Sequence, residues 1–160
     1  MKTKTLIIIA VIFVAVTILG NRATLYFNLQ DTSGVEEGMT FTEYTALIPK
    51  EERNDFWNYS FFANNRGFPV LVRCEEDKIV KVEVINASKT STKESRFEEI
   101  TSGMTISQVF QMVGSPYGYS KTDDKTLVFI SRDETMYSIR FTLTDNILYV
   151  ESIATESIAQ

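Results

Sequence analysis

The sequence predicts an α+β chain. An N-terminal transmembrane helix comes first, then two tandem helix-plus-three-strand units forming an antiparallel sheet with helices on one face. Three observations carry this prediction. An unbroken apolar run follows two N-terminal lysines. The segment Gly38-Met39-Thr40-Phe41-Thr42-Glu43 recurs as Gly103-Met104-Thr105-Ile106-Ser107-Gln108. After each copy, short apolar stretches alternate with turn residues.

Residues 1–22 are expected to be a signal anchor. Lys2 and Lys4 precede an apolar run at residues 6–19. As a helix that run spans ~21 Å, short of a hydrocarbon core of ~30 Å. Continuing past Asn21 and Arg22 to Leu25, Tyr26 and Phe27 supplies the missing length. Arg22 then snorkels and the aromatics sit at the interface. The run also fits the apolar region of a secretory signal, and a cleaved signal would leave the chain secreted. Cleavage needs small residues one and three positions before the cut. A cut after Gly20 places Ile18 there, and a cut after Ala23 places Asn21. Retention is therefore expected, with the lysines cytoplasmic and the remainder outside the cell membrane.

Residues 23–34 read as a juxtamembrane linker, 35–86 as the first αβ unit, 87–96 as a Ser/Thr/Lys-rich linker and 97–160 as the second unit. In each unit the threonine of Gly-Met-Thr opens a capping box. Thr40 pairs with Glu43 and Thr105 with Gln108, so each hydroxyl meets an N3 amide and each N3 side chain reaches back. Apolar residues then recur at helical spacing: Phe41, Tyr44, Leu47 and Ile48 in one unit, Ile106, Val109, Phe110 and Val113 in the other. Pro49 stops the first helix and Gly114-Ser115-Pro116 the second. A further helical turn is expected at 49–56, because Pro suits the first helical position and acidic residues follow it. Strands are expected at 57–62, 68–74 and 79–85, then at 126–131, 136–143 and 147–153.

Composition excludes much common chemistry. Apolar residues make up 44% and charged residues 23%, a globular balance rather than a disordered one. There is no histidine and a single cysteine, Cys74. Ser-His-Asp and Cys-His constellations, His-ligated zinc and internal disulfides are thereby removed. No metal site and no small-molecule cofactor is expected. Net charge is −5; without Lys2, Lys4 and Arg22 the exported part keeps 13 basic against 21 acidic residues. That balance disfavours nucleic acid, which demands a basic surface, and suits a protein partner with a basic patch.

Gly-Met-Thr, a short helix, Gly-Ser-Pro and three strands ending in a hairpin resemble the SmpA/OmlA outer-membrane lipoprotein family. Two such units in tandem resemble the beta-lactamase inhibitor protein. The resemblance covers about residues 35–155 and is closer in the second unit; the first carries Ile48-Pro49 in place of Gly-Ser-Pro. It implies non-enzymatic protein binding, often through the open face of the sheet.

Strand parity then nominates a site. Asn58, Ser60, Arg73, Lys81 and Glu83 in the first unit, and Arg140, Thr142, Tyr149 and Glu151 in the second, are expected on the face away from the helices. Val80, Val82, Val84, Ile139, Phe141, Leu148 and Val150 are expected to face the helices. Trp57, Tyr59 and Phe61 are expected to share one strand face and build core. Arg73, Lys81, Glu83, Arg140, Tyr149 and Glu151 are the candidate partner-binding residues, since Arg and Tyr combine contact area with a directional polar tip. Cys74 groups with Phe68, Val70 and Val72 and reads as a buried thiol. The acids at 75–77, 123–124 and 133–134 read as solvated turns. The expected function is therefore a membrane-anchored, extracytoplasmic, non-catalytic protein-binding module. The alternative is an extracytoplasmic glycan or cell-wall hydrolase using carboxylates, which needs two acids facing each other across a cleft, with Glu83 and Glu151 the pair to compare.

Overall fold

Helix α1 (Phe41–Leu47) and helix α3 (Ile106–Val113) both begin at the repeated threonine. Thr40 Oγ1 accepts the amide of Glu43 at 3.2 Å, and the Glu43 carboxylate accepts the Thr40 amide at 2.8 Å. Thr105 and Gln108 make the same exchange at 3.3 and 2.8 Å. Each cap thus satisfies two amides that a helix end leaves open. The hydrogen bonds to Thr40 also hold the Glu43 carboxyl below its ordinary pKa.

The computed structural model describes Thr17 and residues 31–86, 94–116, 118–119, 123–132 and 134–157. Apart from Thr17, the expected membrane segment lies outside the described residues, as does the juxtamembrane linker up to residue 30. Among the described residues no helix is long and apolar enough to cross a membrane.

Among the described residues the strands form two antiparallel sheets, not the single sheet expected, and each has four strands, not three. The first contains β1 (Arg53–Phe56), β2 (Tyr59–Ala63), β3 (Pro69–Glu75) and β4 (Lys78–Val84). The second contains β5 (Gly118–Tyr119), β6 (Thr126–Ile130), β7 (Thr135–Thr144) and β8 (Ile147–Ser157). Both are meanders, with strands in chain order. A short helix α2 (Glu94–Glu98) begins inside the stretch expected to be linker.

The extra strand in the first sheet corrects two expectations. The helical turn at 49–56 is one turn, closed by the Glu52 amide on the Pro49 carbonyl at 3.0 Å, and Arg53–Phe56 is extended. Arg53 anchors that strand: its guanidinium donates to the Ile48 carbonyl at 2.7 Å and lies over the rings of Phe41 and Tyr44. Trp57 is not the start of a strand. Phe56 pairs with Tyr59, which leaves Trp57 and Asn58 as a two-residue hairpin tip. Trp57 has φ 60°, a left-handed conformation that a bulky residue adopts only when held there.

The other tips follow residue chemistry. Glu76-Asp77 joins β3 to β4 and Asp145-Asn146 joins β7 to β8, all four residues with positive φ. This is the twist-matching hairpin turn that Asn and Asp tolerate best.

Each Gly-Met-Thr segment is stitched to the last strand of the sheet that follows it. The Gly38 amide donates to Ile79 O at 2.7 Å and the Ile79 amide to Met39 O at 2.8 Å. The Gly103 amide donates to Val150 O at 2.9 Å and the Val150 amide to Met104 O at 2.8 Å. Gly38 and Gly103 have φ 93° and 88°, which only glycine adopts without strain, each at the third position of a turn. One residue after each stitch the register slips. Val80 opposite Arg73/Cys74 and Glu151 opposite Arg140/Phe141 have no Cα partner. These are β-bulges. The first bulge corrects the parity of β4: it turns Ile79 into the core and leaves Val80 exposed.

Packing forms two apolar clusters. One lies between α1 and the first sheet, with Val35, Tyr44, Ile48, Phe62, Val70, Val72 and Ile79. The other unites the opposite face of that sheet with α2, α3 and the second sheet. Phe110 of α3 is its centre, 5.2 Å from the Phe61 ring and 6.1 Å from the Phe129 ring. The Phe97 ring of α2 stacks on Tyr137 at 4.1 Å. The layers therefore run α1, first sheet, α2 and α3, second sheet. The first sheet is covered on both faces, and Phe61-Phe62 and Val70-Leu71-Val72 are accordingly continuous buried runs. β7 instead alternates Tyr137, Ile139 and Phe141 inward with Ser138, Arg140 and Thr142 outward.

Candidate functional site

The six residues nominated by parity fall on two different surfaces. Arg140, Tyr149 and Glu151 are on the side of the second sheet away from α3. The register places Thr126, Arg140 and Ser152 in one row across that face, and Val128, Ser138 and Ala154 in the next. Thr142 and Tyr149 form another pair. Thr142, Ser152, Ala154 and Glu156 are exposed, and Arg140 and Tyr149 are half-buried. Their strand neighbours Ile139, Phe141, Leu148 and Val150 are buried against α3, as the alternation predicts.

Arg140 does not stand alone. Its Nε donates to Glu151 Oε2 at 3.0 Å, and its Nη1 donates to Asp123 Oδ2. Asp123 also accepts the Lys125 amide at 2.9 Å, which fixes its carboxylate beside the sheet. The bulge brings Glu151 within reach of Arg140, because the added residue leaves the regular row. One guanidinium held by two carboxylates is a net acidic cluster, and Glu156 adds to it further along β8. Partly exposed pairs of this kind add ~0–1 kcal/mol to stability, so the cluster shapes the surface field more than the fold.

Arg73, Lys81 and Glu83 do not share that surface, contrary to the expectation. They lie on the first-sheet face that receives α3, in the rows of Tyr59, Arg73 and Lys81 and of Phe61, Leu71 and Glu83. Glu83 accepts from Ser107 Oγ of α3 at 2.7 Å and from the Gln111 amide at 2.5 Å, and it pairs with Lys81 at 3.2 Å. Burial raises the Glu83 pKa more than any other single influence. Hydrogen bonds from Ser107, Lys81 and Gln111, with the Lys81 charge, outweigh it, and the carboxyl sits below the ordinary range. Arg73 Nε lies 3.3 Å from Glu75 but without hydrogen-bond geometry. A small groove of about 110 Å³ remains here, lined by Tyr59, Arg73, Glu83, Thr105 and Ile147 among others. Glu83 thus joins the first sheet to α3, with the exposed Lys81 paired to it and Arg73 beside Glu75 of its own strand.

Ser60 also departs from the expected face. It pairs with Val72, points toward α1, is buried, and bonds the Tyr44 hydroxyl at 2.6 Å. Asn58, at the hairpin tip, donates to the Asn146 carbonyl of the opposite sheet's tip at 2.9 Å. Cys74 is half-buried on the α1 side, and burial pushes its thiol pKa up. Among the described residues no group of three or more Cys, Asp or Glu is arranged to hold a metal ion.

Sequence reasoning missed Trp57 and Asp123. Trp57 Nε1 donates to the Asp124 carbonyl at 3.2 Å, and the Lys125 ammonium lies 5.7 Å from its ring centroid. No local signal marks either role, because the partners lie 67 residues away from Trp57 and 17 from Arg140. No protein-family model matches this chain, and no curated protein does.

Proposed function

We propose that this chain is an extracytoplasmic, non-catalytic protein-binding module, held at the cell membrane by residues 1–22, that binds a basic partner surface through the outer face of the second sheet. The observation that carries the reading is a difference between equivalent faces. The first sheet's face away from its own helix receives α3, whereas the matching face of the second sheet carries a partly exposed acidic and aromatic cluster around Arg140, Tyr149 and Glu151. A sheet with one solvated face is a ready surface for partner recognition.

The two halves are read as tandem copies of one unit, related to the SmpA/OmlA family. Matching capping boxes, matching stitches at Gly38 and Gly103, and bulges at Val80 and Glu151 support this. The hydrolase alternative draws no support from the geometry: Glu83 is engaged by Ser107 and Gln111 between the sheets, and Glu151 by Arg140 on the outside.

Site-specific photo-crosslinking in native membranes tests the proposal. A crosslinker at Thr142 is expected to capture a discrete basic protein, and one at Val80 is not. Identical crosslinking patterns at both positions would overturn the assignment of the face. Fractionation tests the anchor separately: a full-length species in the secreted fraction removes it.

A further inference from the structure

The open edge of the second sheet borders its outer face. We infer that β8 accepts, alongside residues 151–157, an extended segment of the basic partner as an added antiparallel strand. The partner's basic character rests on the proposed function; the mode of binding rests on the backbone.

Backbone direction along β8 follows from β7. The Thr135 carbonyl accepts the Ser131 amide, and the Phe141 amide donates to the Lys125 carbonyl, so the odd-numbered residues of β7 face β6. Met136, Ser138 and Arg140 therefore exchange hydrogen bonds with Glu156, Ala154 and Ser152 of β8. The amides and carbonyls of Ile153 and Thr155 point the other way, out of the edge. Past the stitch at Val150, no hydrogen bond from a described residue reaches them.

The first sheet closes the equivalent edge. Its β4 ends at Val84, and the Glu37 carboxylate accepts the outward Val82 amide at 3.3 Å. Ser102 holds the matching place before Gly103, but its hydroxyl donates to the Val150 carbonyl at 3.2 Å and goes no further. β8 runs on to Ser157. Natural sheet edges are blunted by short strands, lysine or proline. The outer strands β1 and β5 have four and two residues, whereas β8 has 11 and contains no lysine, arginine or proline.

Side chains define the occupant. Past the bulge, Ser152, Ala154 and Glu156 are exposed on the outer face. Ile153 and Thr155 lie on the α3 side, and Ile153 packs against the core. One face of an added strand therefore meets Glu156 and the cluster of Glu151, Arg140 and Asp123, and the other meets the apolar margin at Ile153. A segment alternating basic and apolar residues matches both. A second copy of the chain does not, because its β8 would bring another Glu151 and Glu156 to the same surface of a chain whose net charge is −5.

The probe is a short amidated peptide alternating lysine and valine, titrated onto the full-length chain in nanodiscs of zwitterionic lipid and followed by fluorescence anisotropy. Saturable binding is expected, and its absence would overturn the inference. In the antiparallel arrangement the valines lie opposite Ile153 and Thr155 and turn their amides to β8, while the lysine amides face away. N-methylation of the valines should weaken binding ~10-fold or more, and N-methylation of the lysines should leave it within ~2-fold. The reverse pattern, or equal effects, would overturn the added strand. Thr155→Pro removes an outward amide without touching the ladder to β7 and should also weaken binding ~10-fold. If that variant does not fold, the methylated peptides decide with the wild-type protein. Glu156→Lys should weaken binding most at low salt. Hydrogen exchange at Ile153 and Thr155 should be fast in the free chain and slowed by the peptide. Slow exchange in the free chain would mean that another segment or a second copy already occupies the edge, and would overturn the inference. Capture from Thr142 that Thr155→Pro leaves unchanged would overturn the added strand and leave the proposed function standing. Peptide binding with no capture from Thr142 would count against the proposed function alone.

Discussion

The two sheets share strand order, the two-residue turn before the last strand and the bulge position, yet their equivalent faces have different fates. In the first sheet the rows away from α1 read Tyr59–Arg73–Lys81 and Phe61–Leu71–Glu83. In the second the matching rows read Thr126–Arg140–Ser152 and Val128–Ser138–Ala154. An arginine stands ahead of the bulge in both, but where the first sheet has Tyr59, Phe61 and Leu71 the second has Thr126, Val128 and Ser138. Those three apolar side chains lie in the cluster that receives α3, where burial returns ~25 cal/mol for each Å² removed from water. The second face carries smaller and polar side chains there and is open at Thr142, Ser152, Ala154 and Glu156. The same strand order thus builds both platforms, and a few side chains distinguish the internal joint from the more open surface.

The comparison is broken most severely at the shared wedge. Phe110 is fully buried between Phe61 and Phe129. Phe110→Ala should cost ~3–5 kcal/mol in urea unfolding. A cost below ~1 kcal/mol would mean that α3 does not join the sheets.

Exchanging residues between matching rows sharpens it. Leu71→Ala, in the covered row, should cost ~2–5 kcal/mol, whereas Ser138→Leu, in the open row, should stay within ~1 kcal/mol. Similar costs at the two positions would show that the second face is also covered.

Alkaline unfolding separates the two clusters. Burial pushes the Tyr44 hydroxyl up to about 12, with the Ser60 hydrogen bond opposing. A raised folded-state pKa means that its stabilisation is complete below ~10, the unfolded value, and is lost as pH climbs through about 12. The loss is on the order of 2 kcal/mol. Tyr59, raised by burial in the other cluster, contributes in the same direction. Tyr44→Phe should flatten part of the decline in stability between pH 10 and 12, measured by denaturant titration; an unchanged slope would exclude Tyr44 as the source.

The caps should be equivalent. Thr40→Ala and Thr105→Ala each remove one capping box and should each cost ~0.5–2 kcal/mol. A cap that proves silent would show that its helix is held by packing alone.

The smallest stability effect belongs to the proposed surface. Arg140→Ala with Tyr149→Ala should shift stability by about 1 kcal/mol or less while weakening the partner complex through faster dissociation. A core-like loss of stability would mean that this face is buried against something.

Short-range chemistry was legible from the residues alone. Thr40 with Glu43, and Thr105 with Gln108, mark helix starts because a capping box is completed within four residues. Asp145-Asn146 marks a hairpin because those residues tolerate positive φ. The alternation from Tyr137 to Phe141 assigns inside and outside on β7, and so places Arg140 on the outer face. The paired runs Phe61-Phe62 and Val70-Leu71-Val72 also carried a readable signal of burial on both faces. What the tertiary structure decided was every question whose answer lies on another segment. Trp57 turns a hairpin because distant Asp124 and Lys125 hold its ring, not because tryptophan favours that conformation. Val80 leaves the core because the stitch of Met39 to Ile79 sets the register. Glu83 became part of a joint rather than a surface because α3 settles on Phe61 and Leu71. Hydrogen bonding within a turn and side-chain periodicity are local properties of the chain, but which face of a sheet loses its water depends on the whole set of apolar surfaces competing to be buried.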